Sequence, residues 1–333
     1  MRILAVAALL VACHGNAAPP QPASGEGEAA PYVQTARDAL VGHRAPPMML
    51  EMLDGSHVDL APLLGHKPIY LKFWATWCVP CREQMPHLEA TLQAHGDALA
   101  VYAIDVGIDD PIENVREFVA RQHLTVPVAI DRTGTIAEQL HLNVTPQHVL
   151  IDRDGIVRYV GHAVTPELEQ AITAIVAPAS GPAATAPPLA LPQATPPLAL
   201  DDHSTLDANA LPHAPIALTF ATLFCDSYIA DSRPQIGATC AAHARQVEAM
   251  HRAHPGLRWV TVAYPVWTSD DEISDYRKRL GATLPIGIDR GNAWFHHFDV
   301  GDTYTTIVLA ADGTELGRAT GDGAALPALV AKL

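Results

Sequence analysis

A 158-residue offset recurs through this 333-residue chain and constrains its fold more than any other feature. Pro127-Val128-Ala129-Ile130-Asp131-Arg132 returns as Pro285-Ile286-Gly287-Ile288-Asp289-Arg290. Gln147-His148-Val149-Leu150-Ile151, ahead of Asp154-Gly155, returns as Thr305-Thr306-Ile307-Val308-Leu309 ahead of Asp312-Gly313. The strand-like runs Leu99–Ile104 and Leu257–Val262 keep the same spacing. An internal duplication is the economical reading, so whatever folds must fold twice. The length also suits two domains rather than one. Within a copy, apolar strands alternate with helical periods. Ile69–Trp74 is a buried-strand run, and Glu113–Gln122 and Thr165–Val176 carry helical spacing. Val149–Ile151 and Ile156–Val160 flank the Asp154-Gly155 turn and predict a hairpin. The expected class is α/β, each copy a mixed central sheet with helices on both faces.

The N-terminus sets the compartment. Arg2 precedes a ten-residue apolar run, Ile3 to Ala12, too short to span a bilayer and the length of a signal-peptide core. Residues 1–12 are therefore expected to be a signal peptide. The run ends Leu10-Val11-Ala12-Cys13, which resembles the lipobox of bacterial lipoproteins and implies a lipid anchor on Cys13. The alternative is ordinary cleavage near Ala17-Ala18. Either route exports the chain, with the periplasm of a Gram-negative bacterium the expected compartment, where disulfides persist. Five cysteines, Cys13, Cys78, Cys81, Cys225 and Cys240, are an odd number for an exported protein. Lipidation of Cys13 would leave two pairs. A net charge of -15, with 36 acidic against 21 basic residues and no basic run, argues against nucleic acid as a partner.

Residues 14–31 (HGNAAPPQPASGEGEAAP) lack the apolar content to fold, so 13–40 is expected to be a flexible tether. Residues 178–213 are rich in Pro and Ala and read as an extended linker. The two domains are then 41–177 and 214–333.

The strongest chemical signal is Phe73-Trp74-Ala75-Thr76-Trp77-Cys78-Val79-Pro80-Cys81. The cysteines follow a buried strand and open a helix. Unpaired backbone N–H groups and the macrodipole at a helix start favour a thiolate, so Cys78 should be the nucleophile. Two intervening residues let Cys81 reach it and resolve a mixed disulfide. A zinc half-site or a structural disulfide are the alternatives, but no second Cys or His pair at zinc-ligand spacing is evident, and no cofactor is called for.

This motif, followed by Met85-Pro86, resembles the TlpA-like branch of the thioredoxin superfamily. Gly42-His43-Arg44-Ala45-Pro46, Leu53-Asp54-Gly55 and Val144-Thr145-Pro146 extend the resemblance over residues 41–177. It implies a thioredoxin fold and thiol–disulfide exchange on protein substrates, with a membrane electron donor as the further partner. It also implies that Pro146 is cis, and that Trp77, Pro80, Thr145 and Pro146 shape a substrate groove. A reducing direction is favoured, as in cytochrome c maturation. Two positions depart from the pattern. Lys72 stands where many thioredoxins carry a buried acid; it either favours the thiolate or extends its head to solvent. Gln84 replaces a Glu found in several reductases of this branch, with Glu83 beside it as a second pKa-tuning candidate.

The second copy is altered. Phe220-Ala221-Thr222-Leu223-Phe224-Cys225-Asp226-Ser227-Tyr228 repeats the first motif with Tyr228 in place of the resolving cysteine, and Tyr304 falls where Pro146 stands. Ser232-Arg233-Pro234-Gln235 has the form of a capping box, which would put Cys240 about two turns into a helix and facing the core. A structural Cys225–Cys240 bridge, an exchangeable pair and two free thiols all remain open. The copy itself would serve docking or a relay. The rival reading is a copper-binding or copper-delivery protein using thiols with His148, or with His296-His297.

Overall fold

The computed structural model describes residues 26–178, 183–189, 194–211 and 214–333. Cys13 and the expected signal peptide lie outside the described residues. The first copy runs through strands β1 (Met49–Glu51), β2 (His57–Asp59), β3 (Ile69–Trp74), β4 (Ala100–Asp105), β5 (Val128–Ile130), β6 (Gln147–Ile151) and β7 (Val157–Gly161). Its helices are α1 (Glu26–Leu40), α2 (Val79–Glu83), α3 (Met85–His95), α4 (Ile112–Gln122), α5 (Thr135–Gln139) and α6 (Pro166–Val176). The second copy contributes β8 (Leu198–Ala199), β9 (Thr205–Leu206), β10 (Ile216–Ala221), β11 (Arg258–Ala263), β12 (Ile286–Ile288), β13 (Thr305–Leu309) and β14 (Glu315–Ala319). Its helices are α7 (Ala230–Ser232), α8 (Pro234–Ala253), α9 (Asp270–Leu280), α10 (Ala293–His297) and α11 (Leu326–Val330), with a π-helical turn at Cys225–Ile229.

Two five-stranded mixed sheets result, ordered β5-β4-β3-β6-β7 and β12-β11-β10-β13-β14. In each, the first three pair in parallel and the last two antiparallel. Even the register shift repeats, between Leu150 and Ile151 and between Val308 and Leu309. The central strands β3 and β10 are buried along their whole length, which is why both read as mainly apolar runs, broken by Lys72 and Thr219, rather than alternating ones. The architecture is the expected α/β one, doubled.

Three expectations are corrected. Helix α1 occupies the end of the stretch expected as a tether. Val33, Ala36 and Leu40, on one helical face, are buried in the core, and Arg37 donates to the Val160 carbonyl at the end of β7. Nor is 178–213 merely a linker. Its last part forms the β8–β9 hairpin, matching β1–β2. Asp54 and Asp202 each accept the N–H two residues on, from Ser56 and Ser204, and Asp59 and Asp207 do the same for Ala61 and Asn209. Met52 bridges Ala129 as Leu200 bridges Gly287, so the second copy begins before residue 214. Finally, the capping box is not made. Ser232 ends α7 and its hydroxyl turns back to the Ile229 carbonyl; Arg233 is the N-cap of α8, with no side-chain cap.

The copies meet about a pseudo-two-fold axis, each equivalent residue touching its own counterpart there. Glu138 of α5 accepts from His296 of α10 at 2.6 Å, and Asn292 donates to the Gly134 carbonyl at 3.3 Å. Gly134 has φ +70, and a Cβ on it would overlap the Asn292 amide nitrogen. Glycine is favoured there by conformation, and any larger residue would make the Asn292 side chain shift.

Candidate active site

Cys78 and Cys81 form a disulfide with Cα atoms 5.3 Å apart. β3 ends at Trp74, and the chain turns so that Cys78 becomes the N-cap of α2, its sulfur accepting the Cys81 N–H at 3.3 Å. Pro80 sits in the first turn, where a missing N–H costs nothing. Pro86 begins the next helix, and Gln84 marks the break between α2 and α3. Trp77 is pinned by its indole N–H to the Ile108 carbonyl at 3.0 Å. Phe73 pairs with Gln147, so the residues leaving β3 and those entering β6 share one end of the sheet. Thr145-Pro146 is cis, as the resemblance implied.

Lys72 does not reach solvent. It is fully buried, and its ammonium nitrogen donates to the Cys81 carbonyl at 3.3 Å. Burial lowers its pKa to about 7. Across the ladder it faces His148. The Gln84 side-chain oxygen can only accept, so His148 Nε2, 2.9 Å away, carries the proton and Nδ1 accepts from the Tyr70 hydroxyl at 2.8 Å. Burial, then the charge of Lys72, push the His148 pKa well below its ordinary value, which keeps the ring neutral. Gln84 also donates to the His162 carbonyl, and His162 Nδ1 donates to the Pro146 carbonyl at 2.7 Å. A continuous polar chain thus ties the sheet core to the cis-proline loop. Glu83 is exposed.

Acidic groups gather beside Trp77. Asp110 accepts the Thr76 N–H and hydroxyl, both at 2.5 Å, and pairs with Arg233 at 3.0 Å; Arg233 also bonds the Thr76 hydroxyl. Burial, reinforced by the Asp110 charge, drives the nearby Asp105 carboxyl well above the usual range. Asp109 is raised to about 7 by burial and accepts from the Thr303 hydroxyl.

The second copy turns its corresponding face onto this site. Phe224, the counterpart of Trp77, lies 5.7 Å from it between ring centroids. Asp109–Thr303 has its mirror in Trp267–Thr145, where the Trp267 indole N–H reaches the Thr145 carbonyl at 3.0 Å. Tyr228 occupies the lost cysteine's place, and its hydroxyl accepts the Val79 N–H at 3.2 Å. Thr303-Tyr304 is cis although the proline is gone. Cys225 and Cys240 are bridged, Cα atoms 6.1 Å apart, and both are buried. The polar chain through His162 and the covering residue Trp267 escaped the sequence reading, which placed Tyr228 in the lost cysteine's position but not its contact with Val79. His162 had no motif around it, and Trp267 comes from the diverged copy.

The histidines offered for copper have other partners. Both His148 nitrogens are engaged, His296 pairs with Glu138, and His297 bonds the Thr195 hydroxyl at 3.0 Å. Among the described residues no three His, Cys, Asp or Glu side chains converge on a metal-sized site, and no helix is long and apolar enough to cross a membrane.

A disulfide at a helix start, closed over a two-residue loop beside a cis-proline turn, defines a thioredoxin-type redox centre. The AhpC/TSA family model matches residues 41–160. The chain is 35% identical over 132 residues to the thioredoxin-like protein YneN of Bacillus subtilis, covering 39% of this chain and 76% of that protein. It is 32% identical over 132 residues to a thiol-disulfide oxidoreductase ResA of Bacillus cereus, covering 39% and 75%. Among solved structures, a secreted Mycobacterium tuberculosis disulfide oxidoreductase aligns at 26% identity and TM-score 0.35, covering 38% of this chain and 95% of that one. The chain belongs to the thioredoxin-like thiol–disulfide oxidoreductases.

Proposed function

We propose that the protein reduces disulfides of exported protein substrates, with Cys78 attacking and Cys81 resolving. The observation that carries this reading is the asymmetry of the pair. Cys78 caps α2 and receives an N–H on its sulfur, while Cys81 is buried inside the helix beside the Lys72 amine. The helix start and the N–H on its sulfur favour a thiolate at the first position. In the forward reaction the Cys78 thiolate bonds to one sulfur of a client disulfide, whose other sulfur leaves and takes a proton. The Cys81 thiol then loses its proton and attacks Cys78, releasing the second client thiol and closing Cys78–Cys81. Two electrons pass from protein to client, and a membrane dithiol donor would restore the pair. Trp77, Pro80, Thr145 and Pro146 form the groove that holds the client strand. The signal-like N-terminus and Cys13 support a lipid-anchored periplasmic protein. Residues 41–177 form the redox domain; the second, which includes the β8–β9 hairpin, docks onto it.

The test is a trapping experiment. Cys81→Ser should hold a mixed disulfide between Cys78 and a reducible protein substrate, and Cys78→Ser should hold none. Equal trapping by both variants would reverse or remove the assigned roles.

A further inference from the structure

The redox face is closed. Cys78 is 2% exposed and Cys81 0%, with Trp77 and Thr145 equally covered. What covers them comes from the second copy. The Trp267 backbone N–H donates to the Asn143 carbonyl at 3.1 Å and its indole N–H to the Thr145 carbonyl at 3.0 Å. Its ring stands edge-on to His162, 5.3 Å between centroids. Residues 143–145 lead into cis-Pro146, and their carbonyls are the acceptors an extended client segment would use. Both are taken by one residue. On the cysteine side, Tyr228 takes the Val79 N–H and Phe224 covers Trp77. Trp267 is held there at φ +55, a left-handed conformation unusual for a bulky side chain, matched by Asp109 at φ +51 in the first copy.

We propose that Trp267 is a specificity-determining residue of the exchange reaction: it fills the groove beside Pro146 as a client segment would, so that Cys78–Cys81 exchanges faster with a partner able to displace it than with one that is not. That partner is an extended polypeptide segment supplying two N–H donors to residues 143–145 and an apolar side chain against His162. Small thiols offer neither and react slowly, as Trp267 moves aside. The inference rests on Cys78–Cys81 being the exchanging pair. A small dithiol opens the pair in two steps. Its thiolate bonds to Cys78 as the bond to Cys81 breaks, Cys81 leaves and takes a proton, and the reagent's second thiolate then displaces Cys78. The protein ends as a dithiol and the reagent as a cyclic disulfide.

The experiment mixes full-length oxidised protein with dithiothreitol, quenches with an alkylating reagent at intervals, and reads Cys78 and Cys81 by peptide mass spectrometry. Trp267→Ala should open about tenfold faster than wild type, and Tyr228→Phe, which loses one hydrogen bond and keeps its ring, roughly threefold faster. Equal rates in all three chains overturn the inference and leave the reading of the pair intact. Failure of the pair to open in any folded chain overturns that reading, and the inference with it. Should Trp267→Ala not fold, Trp267→Phe, which loses the indole N–H and keeps an aromatic ring, decides in its place: a rate equal to wild type overturns the inference.

Discussion

Lys72 lies inside a strand that is otherwise apolar from end to end, with its amine on the Cys81 carbonyl. A buried amine whose pKa falls to about 7 is charged in the native state only below that pH, while in the unfolded chain it stays charged to about 10.4. Between those values the unfolded state binds more protons, so this group makes stability rise with pH. Each tenfold change in proton affinity is worth about 1.4 kcal/mol. Lys72→Met should therefore be more stable than wild type at and below pH 7, by up to a few kcal/mol, with the gap closing toward pH 10. Urea unfolding across that range checks it, and a gap that does not vary with pH would refute it. The sequence showed Lys72 and Gln84 as departures from a pattern, but not what each one meets. Gln84 meets His148 and His162, 64 and 78 residues away along the chain, a pairing that only the fold creates.

At the scale of elements, Asp131 and Asp289 do the same work in the two copies. Asp131 accepts the N–H groups of Ile136 and Ala137 in α5, and Asp289 those of Trp294 and Phe295 in α10. Both are buried, and burial outweighs these bonds, raising Asp289 to about 7 and Asp131 to about 6. A carboxyl with a raised native pKa holds its proton more tightly when folded, so its contribution to stability is lost as pH rises from about 4 to 7. Asp289→Asn keeps an acceptor without the charge and should gain on wild type between pH 5 and pH 8. Asp289→Ala also removes the charge but leaves both N–H groups unpaired, so it should be about 1–2 kcal/mol less stable than Asp289→Asn at either pH. Thermal melts of the two variants separate the roles; an Asn variant that loses ground at pH 8 would contradict the sign. The Pro-Ile-Gly-Ile-Asp-Arg repeat made this pair legible. The β8–β9 hairpin was not, because its strands are two residues long and its Asp-x-Ser and Asp-x-Asn turns sit in a Pro- and Ala-rich stretch whose composition masks them. Helix α1 was hidden by the same compositional argument, applied to polar residues that ride an apolar stripe.

For the whole molecule, the duplication was plain in the sequence, but the way the copies face each other was not. The contacts that join them, Asp109 with Thr303, Trp267 with Thr145 and Arg233 with Asp110, lie mostly in loops that have diverged between copies. Opposite functions at equivalent positions give no repeat to notice. The axis itself offers a test. Gly134→Ala should be destabilising, partly through its positive φ and partly through Asn292, while Asn292→Ala removes that contact and carries a positive-φ cost of its own, Asn292 lying at φ +66. A double-mutant cycle should then return a coupling of about 1 kcal/mol or more, and additivity within about 0.5 kcal/mol would mean the copies do not meet this way in solution.

The most direct measurement is a redox titration of the mature protein in glutathione and dithiothreitol buffers, with differential alkylation and peptide mass spectrometry reporting each pair separately. Cys78–Cys81 should open reversibly while the domain stays folded. Cys225–Cys240, buried and worth about 3 kcal/mol as a cross-link of its length, should stay closed until the second copy unfolds. A Cys78–Cys81 disulfide that opens only on unfolding would contradict the central claim.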